Sequence, residues 1–120
     1  MDLIIGGVYQ GKLAYAKARF DIAEEDVAYC GDAPKLDAAK RCVYGLERYL
    51  RACVRTGVDP VLDLRPDAVV ICQDIFCGVV PLAAEERAWR ELAGRTVTAL
   101  AARADTVTRI FCGLPQQLKP

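Results

Sequence analysis

The sequence predicts a small α/β domain: a doubly wound, mainly parallel sheet of P-loop NTPase type, with about four strands and three main helices. Three observations carry that prediction. Short unbroken apolar runs alternate with stretches whose apolar residues recur at threes and fours. The run Ala68-Val69-Val70-Ile71-Cys72 does not alternate, as a strand covered by helices on both faces requires. Residues 3–14 read as a buried strand, a glycine turn and a helix start within one short stretch.

At 120 residues the chain makes one domain, spanning 1–120. A hydrophobic fraction of 53% argues against disorder, and 16 basic against 16 acidic residues leave no net charge and no nucleic-acid surface. Apolar runs are too short for a transmembrane helix or a signal peptide, so a cytoplasmic protein is expected. Six cysteines, none in a Cys-x-x-Cys pair, read as small core residues rather than a four-thiolate zinc site. The absence of histidine excludes a Ser-His or Cys-His centre and any phospho- or nucleotidyl-histidine intermediate.

Taken in order, residues 2–6 form the first strand and Gly11 to about Phe20 the first helix. Asp26 to Cys30, apolar and bounded by Gly31, is the second strand. From Leu36 the positions Ala39, Cys42, Val43, Leu46, Leu50, Cys53 and Val54 fit one buried helix face that Gly57 closes. The charged residues between them, Arg41, Glu47, Arg48, Arg51 and Arg55, then read as a solvated face. Residues 57–67 form a connection with room for a helical turn from Asp59-Pro60. The strand 68–72 ends at Gln73-Asp74, placing a carboxylate at the sheet's carboxyl edge, where open α/β sheets bind ligands. Pro81 announces a helix over 83–104, with Trp89, Leu92, Ala93, Val97, Leu100, Ala101 and Ala104 inward. Thr106 to Cys112 is the last strand, and a turn at Gly113-Leu114-Pro115 leads into a short tail.

The chemistry is concentrated in Gly6-Gly7-Val8-Tyr9-Gln10-Gly11-Lys12-Leu13. Gly6, Gly11 and Lys12 have the spacing of a phosphate-binding loop, in which backbone N–H groups converge on phosphate oxygens and lysine supplies a point charge. That spacing arises by chance in about 3% of chains this long, and a strand before it with a helix after makes chance rarer. Leu13 departs from the pattern, because a magnesium-using loop carries Ser or Thr there. Lys12 is therefore a candidate ligand for a nucleotide phosphate, against a solvated lysine in a first helical turn. Asp74 is a candidate to direct a metal-bound water, against a capping role at a strand end. Arg90 could reach a phosphate or anchor the helix to a neighbour, against a surface ion pair with Glu86 or Glu91.

The stretch from Ala68 to Lys119, with Gly78, Val80, Pro81, Arg90, Gly94, Gly113, Pro115, Leu118 and Lys119 at matching positions, resembles the bifunctional adenosylcobinamide kinase/adenosylcobinamide-phosphate guanylyltransferase family of cobalamin synthesis. Asp74 stands for that family's Glu and Glu91 for its Asp, and the Gly6–Leu13 loop stands for its Gly-Gly-x-x-x-Gly-Lys-Ser. The resemblance covers the first ~20 and last ~50 residues. It implies ATP or GTP held by Gly6, Gly7, Gln10, Gly11, Lys12 and Leu13, Mg²⁺ held through water by Asp74, cobinamide as acceptor, and a trimer. The departures fall on the chemistry. The guanylylated histidine is missing, Leu13 replaces the loop hydroxyl, Val97-Thr98 replaces Asn-Gln, and the strand carrying Asp-Cys-Leu has no visible counterpart. The expectation is a shortened member with weakened or lost transferase activity, alternatively a structural or regulatory subunit.

Overall fold

The computed structural model describes residues 1–8, 10–75 and 83–120. Pro81, expected to start the last helix, and the matching positions Gly78 and Val80 lie outside the described residues. Six strands form one sheet: β1 (Asp2–Gly6), β2 (Val27–Tyr29), β3 (Cys42–Tyr44), β4 (Val69–Gln73), β5 (Thr106–Phe111) and β6 (Leu114–Lys119). Their order across the sheet is β2-β3-β4-β1-β5-β6, with all neighbours parallel except the antiparallel pair β5–β6. The helices are α1 (Lys12–Phe20), α2 (Leu46–Thr56) and α3 (Ala84–Arg103), and a single 3₁₀ turn lies at Glu24–Asp26.

Strand alternation divides the core. Leu3, Val43, Val70, Cys72 and Val107 point to one face, where Leu46, Tyr49, Leu50 and Cys53 of α2 and Ala93, Val97 and Leu100 of α3 cover them. Ile4, Val27, Cys42, Val69, Ile71 and Ile110 point to the other face, under Ala16, Leu13 and Tyr15 of α1. Helices on both faces make the domain doubly wound. Val97, which stands where the resembled family has Asn, is one of these core residues.

Two expectations are corrected. Residues 36–44 are not helical: 36–41 are irregular and Cys42–Tyr44 is a strand between β2 and β4. Cys42 and Val43 are both fully buried, on opposite sheet faces, which adjacent residues of a one-faced helix cannot achieve. Three residues are too few to show a period of two, and the same apolar positions also fit a helix. The second correction concerns the tail, which is the edge strand β6. A two-residue turn at Cys112 and Gly113, both with positive φ, reverses the chain, and the type I′ geometry matches the twist of a hairpin. Polar residues and Pro115 hid this strand, yet an edge strand tolerates both.

Smaller differences follow from side-chain pairing. No helical turn forms at Asp59-Pro60; the Tyr49 hydroxyl holds that segment by accepting from the Val61 N–H at 2.8 Å, while Leu62 and Leu64 pack on the core. Arg51 and Arg55 do not simply face solvent but pair with Glu86 and Glu85, tying α2 to α3. Glu91 pairs with Arg95 one turn along α3. The Lys119 ammonium donates to the Ala101 and Ala102 carbonyls at 3.2 and 3.0 Å and so caps the end of α3. Among the described residues, no helix is long and apolar enough to cross a membrane.

Candidate functional site

The carboxyl ends of the parallel strands carry the helix starts, and two of these starts share one cleft. β1 ends at Gly6, which lies so close to β5 that an added Cβ would stand 2.6 Å from the Ile110 carbonyl oxygen. The chain then leaves the sheet and enters α1 through Gly11, whose φ of 82° an L side chain rarely adopts. The first intrahelical bond runs from the Tyr15 N–H to the Gly11 carbonyl. The amides of residues 12, 13 and 14 thus precede the helical ladder, and no side chain caps them. β3 enters α2 through one residue, Gly45, with φ 84° and likewise no side-chain cap.

Between these turns lies a cleft of about 360 Å³. Gln10, Gly11, Lys12 and Leu13 line one side, and Tyr29, Tyr44, Glu47 and Arg48 the other. Its walls therefore bring together residues from the ends of β2, β3 and β4 with the first turns of α1 and α2.

Lys12 is not the solvated lysine that a first helical turn would usually hold. It is only 8% exposed, and its ammonium donates to the Gly7 carbonyl. Burial lowers its pKa below that of an ordinary lysine, and the Glu47 carboxylate opposes the shift. Leu13 lines the cleft and, half-buried, packs against the core on the α1 side of the sheet. Gln10 lines the cleft, and its side-chain oxygen also accepts the Cys112 amide, so the β5–β6 hairpin supports the loop from behind. Gly6 and Gly7 shape the turn without lining the cleft.

Asp74 follows β4, and its amide donates to the Gly6 carbonyl at 2.8 Å, so its backbone stands beside the start of the loop. Its Oδ1 is buried and meets no hydrogen-bond donor among the described residues. The carboxylate lining the cleft is instead Glu47, which the helical period assigned to a solvated face. Glu47 accepts the Gln73 amide at 2.9 Å, and its carbonyl accepts the Trp89 indole N–H at 2.8 Å. The only signal that could have found it is the apolar triplet before Gly45, which marks a strand end three residues ahead of the acid. Tyr29, Tyr44 and Arg48 were also missed, because strand order alone brings them to the loop.

The donor set limits the chemistry. Cys30 lines the cleft, but burial, reinforced by Glu47, pushes its thiol up to about 12, so it is no thiolate at neutral pH. Among the described residues no three His, Cys, Asp or Glu side chains cluster as a metal site. Asp74, whose backbone stands beside the loop and whose side chain is not among those lining the cleft, offers a single carboxylate, a number that suits an ion keeping most of its water and drawing its other ligands from phosphate.

Residues 39–118 match the family described as cobinamide kinase / cobinamide phosphate guanyltransferase. No curated protein matches the chain. The family match starts just before β3 and includes α2 and α3. It does not include residues 6–13. A match over two thirds of the chain shows that this protein belongs to that family.

Proposed function

We propose, with membership of the cobinamide kinase / cobinamide phosphate guanyltransferase family as the premise, that this chain binds ATP or GTP at the 6–13 turn and that its transferase activity is weakened or lost. The observation that carries the reading is Lys12: a lysine buried at the mouth of an uncapped helix, in a cleft, with three amides ahead of the helical ladder. A buried cation and converging N–H groups are what a phosphate tail requires. Lys12 and the loop amides would hold the β- and γ-phosphates. Asp74, with its unpartnered oxygen, would hold a hydrated Mg²⁺. When bound, that ion neutralises charge on the phosphate oxygens.

Cobinamide is the acceptor that the family name supplies, through a hydroxyl group. Guanylyl transfer through an enzyme intermediate needs a nucleophile that can leave again. The chain has no histidine, and the cleft cysteine is held as its thiol. The alternative, a structural or regulatory subunit without nucleotide chemistry, is favoured by one observation: Leu13 packs into the core where a hydroxyl would be needed. Free buried cysteines and the absence of a spanning helix among the described residues support a cytoplasmic location. Exposed Phe111, Leu114 and Leu118 on the β5–β6 edge support self-association, as a trimer in this reading, which sedimentation at micromolar concentration tests.

Calorimetry with ATP, GTP and inorganic triphosphate, with and without Mg²⁺, tests the site. Binding should weaken by at least about tenfold in Lys12→Ala, the loss of one charge-assisted contact. Labelled GTP should leave no covalent label, and Leu13→Ser should raise any phosphorylation of cobinamide. Absence of binding by all three ligands leaves the structural alternative standing, and robust labelling or fast turnover by the unmodified chain refutes the reading of the chemistry.

A further inference from the structure

Tyr29 closes β2 and Tyr44 closes β3, and the two are register partners in the parallel ladder. Two residues earlier on each strand, Val27 and Cys42 pack on the α1 side of the sheet, and the period of two puts both tyrosines on that same side. Their ring centroids are 5.5 Å apart at 68°, an edge-to-face pair. Tyr29 is nevertheless 53% exposed, and both rings line the cleft that holds Lys12. A large aromatic left half open to water at a strand end, on the edge where α/β sheets take ligands, calls for a partner.

The Tyr29 ring is also fixed in place. Its hydroxyl donates to Glu24, and Lys17 of α1 donates to the same carboxylate. This chain of bonds commits the one hydrogen of the tyrosine hydroxyl. The half-exposed ring offers its face, which suits a flat π system and carries no hydrogen-bond code.

From this we infer that Tyr29 and Tyr44 form the shelf on which the aromatic base of the nucleotide stacks, with its phosphates at the Lys12 turn. The inference rests on the nucleotide-binding reading above and adds the other half of the ligand. One cleft presents a buried cation with helix amides at one wall and a braced aromatic pair at the other, and a nucleotide has an anionic tail and a flat base. Because stacking accepts any π face, adenine and guanine nucleotides should bind about equally.

Calorimetric titration of the full chain with ATP, GTP and inorganic triphosphate separates the two halves. Tyr29→Ala should weaken ATP and GTP by about tenfold, the usual loss for one stacking platform, and leave triphosphate unchanged. Tyr29→Phe keeps the ring and should bind all three within about threefold of the unmodified chain, since it loses only an exposed hydrogen bond. Tyr29→Leu, which keeps apolar bulk on the edge strand, should repeat the alanine result and so exclude loss of the fold as its cause. An equal effect on ATP and triphosphate, or no effect on either, overturns the shelf while the loop reading stands. If triphosphate fails to bind the unmodified chain, the loop reading falls and the shelf falls with it.

Discussion

The turns from β1 into α1 and from β3 into α2 solve the same problem differently. Each follows a parallel strand, enters its helix through a glycine of positive φ and lacks a side-chain cap. The first spends five residues, 7–11, between strand and helix; the second spends only Gly45. In the long turn the first helical residue is Lys12, and residues 12, 13 and 14, whose amides precede the ladder, line the cleft. In the short turn the Arg48 N–H already bonds the Gly45 carbonyl, and the acid Glu47 takes the Gln73 amide. Helix N-termini are generically good for anions. In the reading proposed above, loop length and the charge of the first turn decide which of the two suits an anion: the α1 turn offers amides and a cation, whereas the α2 turn presents the Glu47 carboxylate to the cleft.

Breaking the longer turn should cost most. Gly6→Ala puts a Cβ 2.6 Å from the Ile110 carbonyl, a backbone atom that cannot yield without opening β1 from β5. A loss of about 3 kcal/mol is expected from such overpacking, read as a lower urea midpoint. Gly45→Ala meets only ordinary contacts, the Cys30 Cβ among them at 3.8 Å, and pays for the left-handed backbone alone. About 1–2 kcal/mol is expected. Equal costs would mean that the two turns are constrained alike.

The finest test exchanges charge rather than shape. Glu47→Gln removes the carboxylate facing Lys12, so triphosphate should bind about threefold more tightly, an effect of the size usual for partly exposed charges. The same substitution removes the larger of the two influences that oppose the lowering of the Lys12 pKa. Binding requires the ammonium, so affinity should fall on the alkaline side, starting below the 10.5 of an ordinary lysine, and the fall should move to still lower pH in Glu47→Gln. Unchanged affinity and an unmoved alkaline limb would place Glu47 outside the site.

Much of the fold was legible because local signals agreed with burial. Asp2–Gly6, Val27–Tyr29 and Val69–Gln73 hold short apolar runs, Thr106–Phe111 is rich in β-branched and aromatic residues, and Ala84–Arg103 carries its inward residues at helical spacing. β3 was not legible, because its buried pair Cys42-Val43 satisfies a helical period as well as a strand. β6 was not, because an exposed edge strand needs no apolar pattern and is held by hydrogen bonds to β5.

For the site, the spacing of Gly6, Gly11 and Lys12 was enough to select the turn and to raise the question of Leu13. What occupies the opposite wall followed from sheet order. Placing β3 between β2 and β4 carries Glu47, Tyr44 and Tyr29 to within one cleft of Lys12, though they are 17 to 35 residues away along the chain. By itself the sequence determined the elements whose residues are buried in a pattern their neighbours can reveal. The tertiary structure decided the strand order, the closing hairpin and the charge facing Lys12, because each depends on pairing between segments that carry no record of one another in the local sequence.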